Sequence, residues 1–206
     1  MTAMHLKLIL LTLLSLGSYC AKGQALIKVK LHDSVVDNSI QEILDFENLF
    51  VKQLDFEGSA LENKSYVITL DEFSRGQKVR STTLFDGLED NIFKVKGSKT
   101  SLKFFLKVAE RRLKVSIRGA FFASKKMYFQ LKMGADSYTV KDLFANKEEL
   151  FIPSDKASPI FAIITPSLRP DGSGTYCDVV QSGIKPEKWY EQFKVPHYFV
   201  ISIQFN

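Results

Sequence analysis

Residues 101–119 limit what this chain can fold into more than any other stretch. Leu102, Phe104, Leu106 and Val108 alternate with Lys103, Phe105, Lys107 and Ala109. After Glu110-Arg111, the apolar positions Leu113, Val115 and Ile117 alternate with Arg112, Lys114, Ser116 and Arg118. Successive side chains of an extended chain point to opposite faces, so this is the period of two half-buried strands. A hairpin turning at Glu110-Arg111 sets Val108 opposite Leu113, Leu106 opposite Val115 and Phe104 opposite Ile117. A slip of one residue would put Lys against Leu throughout, so the pattern itself sets the register.

Other segments carry the same signature. Strands are expected at Ala25 to Leu31, Leu49 to Phe56, Tyr66 to Leu70 and Lys78 to Phe85, with a turn at Ser74-Arg75-Gly76-Gln77. More follow at 126–133, 137–144 and 149–152. Pro159 to Thr165 is almost continuously apolar, which suits a strand buried on both sides. Thr175 to Gln181 also has strand character, with Tyr176 and Cys177 facing opposite ways. His197 to Phe205 closes the chain with Phe199, Ile201, Ile203 and Phe205 on one face. Two helices interrupt the series. Ser39-Ile40-Gln41-Glu42 has capping-box form and opens one near 39–48, on Ile40, Ile43 and Leu44. Pro186 at a first helical position opens the other, Glu187 to Phe193, and Pro196 prevents its extension. The expected fold is mainly β, an antiparallel two-sheet β-sandwich, immunoglobulin-like or related, with two short helices. A transmembrane β-barrel is disfavoured, because its strands need about ten residues and an uncharged lipid-facing band. Residues 24–206 are expected to form one domain, with 86–100 as the weakest seam.

Residues 1–23 read as a cleaved export signal. Leu8 to Leu16 is an apolar run well short of the roughly 20 residues that span a bilayer, and Ala21-Lys22-Gly23 is a small-residue cleavage pattern. Cys20 is the alternative, a lipid-anchored cysteine, but Tyr19 stands where lipoprotein processing wants a small side chain. The expected destination is the periplasm of a Gram-negative bacterium or the extracellular space. No later stretch is long and apolar enough for a membrane helix. Beyond the signal Cys177 is the only thiol, which excludes an internal disulfide and a zinc site built on paired cysteines.

The charge is unevenly placed. The whole chain stands at +5, and the signal's Lys7 and Lys22 account for two of those charges, leaving +3. Residues 94–118 hold nine basic side chains and one acid, Glu110, a net +8, so the remainder beyond the signal is −5. In the hairpin register Lys103 faces Arg118 and Lys107 faces Lys114, and like charges directly opposite destabilise a ladder. An anionic partner on Lys103, Lys107, Arg112, Lys114 and Arg118, with Phe105 as a stacking surface, would relieve that cost. The competing explanation, given more weight, is that lysine-rich outer faces keep β-proteins soluble and blunt their edges. An acidic glycan or another envelope component fits such a face; nucleic acid does not, since no recognition motif accompanies it. A second candidate is an aromatic platform of Trp189 and Tyr190, with the Pro166–Gly174 loop nearby, although such aromatics more often act as a plug.

Catalytic signatures are missing. His32-Asp33-Ser34 has triad residue types, but neighbours on an extended chain point apart, and no Gly-x-Ser-x-Gly elbow occurs. His197 is expected to be structural or half-exposed, and Cys177 a small buried hydrophobe. Asp171-Gly172-Ser173-Gly174 lacks the further ligands of a calcium loop. Neither a cofactor nor a metal is expected. The sequence therefore suggests a non-enzymatic exported β-sandwich, a binding or structural module at the cell envelope. The alternative is an exported hydrolase of glycan or peptide that recruits Cys177, His197 or a carboxylate pair. A pocket joining His32 or His197 to a carboxylate and a nucleophile would favour that alternative.

Overall fold

A computed structural model describes residues 25–33, 37–145, 147–168 and 173–206. The hairpin has the expected register: β5 (Lys99–Ala109) and β6 (Arg112–Arg118) pair Val108 with Leu113, Leu106 with Val115 and Phe104 with Ile117. Glu110 and Arg111 both take positive φ, 50° and 58°, the twist that a two-residue hairpin turn demands. Leu102, Phe104, Leu106 and Val108 are buried, and Lys103, Phe105 and Lys107 stand on the other face.

Around that hairpin the chain forms two antiparallel sheets. β1 (Leu26–Asp33), β2 (Leu49–Glu57), β7 (Met127–Gln130) and β9 (Glu149–Pro153) complete a six-stranded sheet in the order β7-β6-β5-β2-β1-β9. β3 (Tyr66–Ser74), β4 (Gln77–Asp86), β8 (Thr139–Asp142), β10 (Ser158–Ile164) and β13 (His197–Phe205) form a five-stranded sheet, β4-β3-β13-β10-β8. This is the two-sheet β-sandwich, with more strands than the seven or nine of an immunoglobulin domain. Aromatic pairs bridge the sheets: Phe56 with Phe205 at 5.4 Å, Phe104 with Phe161 at 5.2 Å and Phe129 with Phe199 at 6.0 Å between ring centres. The core between the sheets draws on residues from both sides of 86–100.

The five-stranded sheet is buried on its outer face as well. Phe73, Ala162, Ile164, Tyr198 and Val200 form a second apolar cluster with Val179, Val180, Trp189 and Val195. This explains the unbroken apolar run at 159–165: Phe161 and Ile163 face the first core, Ala162 and Ile164 the second. The cover is α2 (Cys177–Val180) and α3 (Trp189–Phe193), the latter preceded by a 3₁₀ turn at Pro186–Lys188; α1 (Asn38–Phe46) lies elsewhere. Trp189 Nε1 donates to the Ile184 carbonyl at 2.9 Å, and Tyr198 Oη donates to the Pro186 carbonyl at 2.6 Å.

Several local expectations are corrected. Residues 175–181 are not a strand: β12 (Gly174–Thr175) pairs only with β11 (Ser167–Leu168), and α2 then begins. Val179 and Val180 are both buried, whereas an extended chain would send these neighbours to opposite faces. α1 is capped by Asp37, whose Oδ1 accepts from Ser39 N at 2.8 Å and Ile40 N at 3.2 Å, so Ser39 lies inside the helix. Its apolar positions Ile40 and Ile43 are exposed. β7 ends at Gln130, short of the expected 133, with one further bond in the same register from Leu131 N to the Arg111 carbonyl. Residues 1–23, where an export signal is expected, with Cys20, and also Ser34 and Asp171-Gly172, lie outside the described residues.

Candidate anion-binding site

The outer face of the six-stranded sheet divides into two electrostatic halves. On β1, β2 and β9 basic side chains meet carboxylates. Lys28 meets Glu57 at 3.2 Å, Lys30 meets Glu149 at 2.9 Å, and His32 meets Asp55 at 3.0 Å. At the end of β5, Lys99 joins Glu57 at 2.8 Å. The Lys99 and Lys28 ammonium groups hold the Glu57 carboxyl below its ordinary pKa, as Lys30 does for Glu149. Burial alone would raise Asp55, but hydrogen bonds from Ser101 and Gln53 and the nearby His32 outweigh it, and its pKa is lowered.

The β5–β6 half is different. The ladder sets Lys103 against Arg118 and Lys107 against Lys114. Lys107 is neutralised by Glu47, 2.6 Å away in the turn after α1. Among the described residues no carboxylate pairs with Lys103, Arg112, Lys114 or Arg118. Rings take the place of acids: the Arg118 guanidinium lies 5.3 Å from the Phe105 ring centre and Lys114 Nζ 5.8 Å from that of Tyr128. Such contacts stabilise a cation without neutralising it. A depression of about 350 Å³ is lined by Lys107, Lys114, Arg118, Lys126, Phe105, Leu49 and Ser116.

Beyond Phe105 and Arg118 the face opens into a larger cleft of about 670 Å³. Lys94, Lys96, Lys99 and Lys103 line it together with Phe93, Phe121 and Phe122, and no carboxylate does. Lys96 Nζ lies 5.3 Å from the Phe121 ring centre, and Phe121 is 63% exposed. Phe122 stacks on Phe85 at 3.9 Å and lies flat against Gly119, where a Cβ would come within 2.2 Å of its ring. Tyr66 contributes to the cleft wall, its phenol pushed up to about 12 by burial and so neutral. Sequence reasoning finds these cations but misses the rings. Phe93, Phe121 and Phe122 sit between strands, where alternation carries no signal. The available clue is Phe93-Lys94-Val95-Lys96, which alternates outside any strand.

The residues singled out by sequence do not converge. Lys103, Phe105, Lys107, Arg112, Lys114 and Arg118 share one face. Trp189 is 2% exposed under α3 on the far sheet, 5.1 Å from the Tyr198 ring, and offers no open face. Tyr190 is half-buried there, with Lys194 Nζ 6.0 Å from its ring centre. That helix is a plug, and it covers the outer face of a sheet rather than the end of the sandwich. Cys177 is exposed at the start of α2, because the turn that buries Val179 and Val180 rotates it outward.

His197 is buried, not half-exposed. Its Nδ1 is 2.6 Å from the Tyr138 hydroxyl and its Nε2 is 3.1 Å from Glu72 Oε1. If Nε2 carries the proton and donates to Glu72, Nδ1 accepts from the phenol. Burial pushes the imidazole pKa down, with Glu72 working against it. Burial raises the Tyr138 phenol, while the Met133 and Lys132 backbone amides act to lower it. His197 reaches a cavity of about 670 Å³ bordered by Ser74, Arg75 and Lys132. The Tyr138 hydroxyl is not part of that lining, and both ring nitrogens are engaged, so His197 is not free to act as a base for Ser74. Among the described residues no cluster of His, Cys, Asp or Glu gathers as a metal site, and no helix is long and apolar enough to cross a membrane.

No known protein family, curated protein or solved structure matches this chain. The class is therefore defined by fold and surface alone: an antiparallel two-sheet β-sandwich with one cationic, aromatic-studded half-face.

Proposed function

We propose that this chain is an exported, non-enzymatic binding module of the cell envelope that holds an anionic partner on β5 and β6. The observation that carries it is the contrast within one face. On β1, β2 and β9 Lys28, Lys30 and His32 are matched by carboxylates, whereas Lys103, Arg118 and Lys114 stand opposite basic side chains, with Arg118 and Lys114 lying near the rings of Phe105 and Tyr128. A face evolved for solubility alone has no reason to separate the two halves, since interspersed signs serve solubility equally well. An acidic glycan chain suits the open track from Lys126 and Lys114 past Phe105 to Lys103. Titrating the intact chain with polygalacturonate at low and physiological salt tests this. Binding should weaken with salt and fall about tenfold when Lys103, Lys114 and Arg118 are all changed to Ser. Equal binding by that variant, or none by the parent, would dismiss the reading. Cell fractionation tests export.

A second reading is supported by the Glu72–His197–Tyr138 chain, which has the order carboxylate, imidazole, hydroxyl. In it the protein is an exported hydrolase, with Tyr138 uncovered by substrate binding at the Arg75 and Lys132 cavity. Glycan or peptide turnover that Tyr138→Phe abolishes without lowering the melting temperature would favour it.

A further inference from the structure

We propose that the cleft at the end of β5 and β6 binds an anionic amphiphile, with the charged head on Lys96, Lys103 and Arg118 and the apolar body against Phe93, Phe121 and Phe122. The proposal rests on the unpaired cations being ligand-binding groups, and goes further by naming the chemistry of the ligand. Phe is among the side chains most often buried, yet Phe121 stands 63% exposed and Phe93 and Phe122 are only partly covered around one depression. Its volume, about 670 Å³, lies in the range of small-molecule sites.

Two of the neutral polar side chains in the wall, Gln53 and Ser101, are already engaged by a carboxylate. Gln53 Nε2 donates to Asp55 at 3.0 Å, and Ser101 Oγ donates to the same carboxylate at 2.7 Å. With Thr100 and Tyr66 the other neutral polar side chains of the lining, the hydroxyls of a sugar ring would meet mainly ammonium groups and aromatic faces. A phosphate or carboxylate head joined to a hydrocarbon body matches both sets at once. Carboxylates reach the wall only from outside it: Asp55 accepts from Gln53 and Ser101, Glu57 pairs with Lys99, and Asp90 Oδ1 accepts from Ile92 N, while none of the three is part of the lining. Gly119 preserves the space, because its missing Cβ lets the Phe122 ring lie back against the chain and leave the cleft open.

Calorimetric titration of the intact chain with monomeric dodecyl phosphate tests the proposal. One equivalent should bind, with inorganic phosphate and dodecyl maltoside each at least about tenfold weaker. Phe121→Ser, an exposed and structurally mild change, should weaken dodecyl phosphate by roughly tenfold and leave polygalacturonate binding unchanged. Sedimentation with phosphatidylglycerol vesicles would place the amphiphile in a bilayer, and monomer binding without sedimentation would make it a free one; both uphold the proposal. Dodecyl phosphate bound no more tightly than inorganic phosphate, or indifferent to Phe121→Ser, overturns it. If polygalacturonate still binds in that case, only the amphiphile is lost. If neither ligand binds, the anion-binding reading falls as well.

Discussion

The guanidinium of Arg118 rests 5.3 Å from the centre of the Phe105 ring, in a ladder that also sets it directly opposite Lys103. Phe105 and Arg118 line both depressions of the basic face, so this pair stands where the two meet. A cation held by a ring keeps its charge available, which a salt bridge to a carboxylate would not.

Replacing Lys103 by Glu should therefore stabilise the fold and weaken function together. A carboxylate opposite Arg118 turns a like-charge pair into an opposite-charge pair, worth about 0.5 kcal/mol. Urea unfolding should show a higher midpoint at unchanged slope, while polygalacturonate affinity falls. A lower midpoint would mean that Lys103 has a structural role unseen in its contacts.

The hairpin turn holds Glu110 and Arg111 at φ of 50° and 58°, a region that costs an ordinary side chain about 1 kcal/mol or more. Glu110→Asn combined with Arg111→Gly should stabilise the protein by about 1 kcal/mol, raising the melting temperature by roughly 2–4 °C. The double change also removes the hydrogen bond from Arg111 Nη2 to the Lys132 carbonyl, which at 3.5 Å is too long to offset the gain. Scanning calorimetry on the double variant decides it.

Gly119→Ala should destabilise by about 1–3 kcal/mol, because its Cβ would stand 2.2 Å from the Phe122 ring and force that ring off Phe85. In a Phe122→Ala background the same change should cost almost nothing. A double-mutant cycle measures the coupling, and additive effects would show that the glycine serves something other than the ring.

Buried His197 predicts a loss of stability on mild acidification. Its folded pKa lies below the ordinary value near 6.5, so the unfolded chain takes up the proton first. Stability is complete above about pH 6.5 and declines as pH falls from there through the lowered folded value. The depressed carboxyls Asp55, Glu57 and Glu149 lose their contribution only near and below about pH 4, so the two declines begin at different pH. Melting curves at pH 7.5 and 5.0 should show a drop in the parent that is smaller in His197→Gln. Equal drops would assign the effect to other groups.

Much of the fold is legible in the sequence because period-2 alternation is a local property. The β5–β6 register, the turn at Ser74 to Gln77, the strand character of 49–56 and the two-sided burial of 159–165 all follow from neighbours a few positions apart. The misleading segments are those whose conformation depends on distant partners. The β-branched residues Val179 and Val180 suggest a strand but fold as helix, because both are drawn into the cluster under Tyr198. Asp37 takes the cap from Ser39 through hydrogen bonds whose geometry the capping-box pattern does not encode.

Residue order over short distances sets the chain's β character, the register of its central hairpin and the concentration of positive charge in 94–118. Which cations are answered depends on the packed fold. Lys107 finds Glu47 sixty positions away and Lys30 finds Glu149, while Lys103, Lys114 and Arg118 meet rings and other cations. The same holds for His197, joined to Glu72 on the neighbouring strand β3 and to Tyr138 just before β8. Phe93, Phe121 and Phe122 are likewise brought around one cleft from separate connections. Charge and aromatic contacts act through space over a few ångströms, and sheet pairing folds residues far apart in the chain into that range.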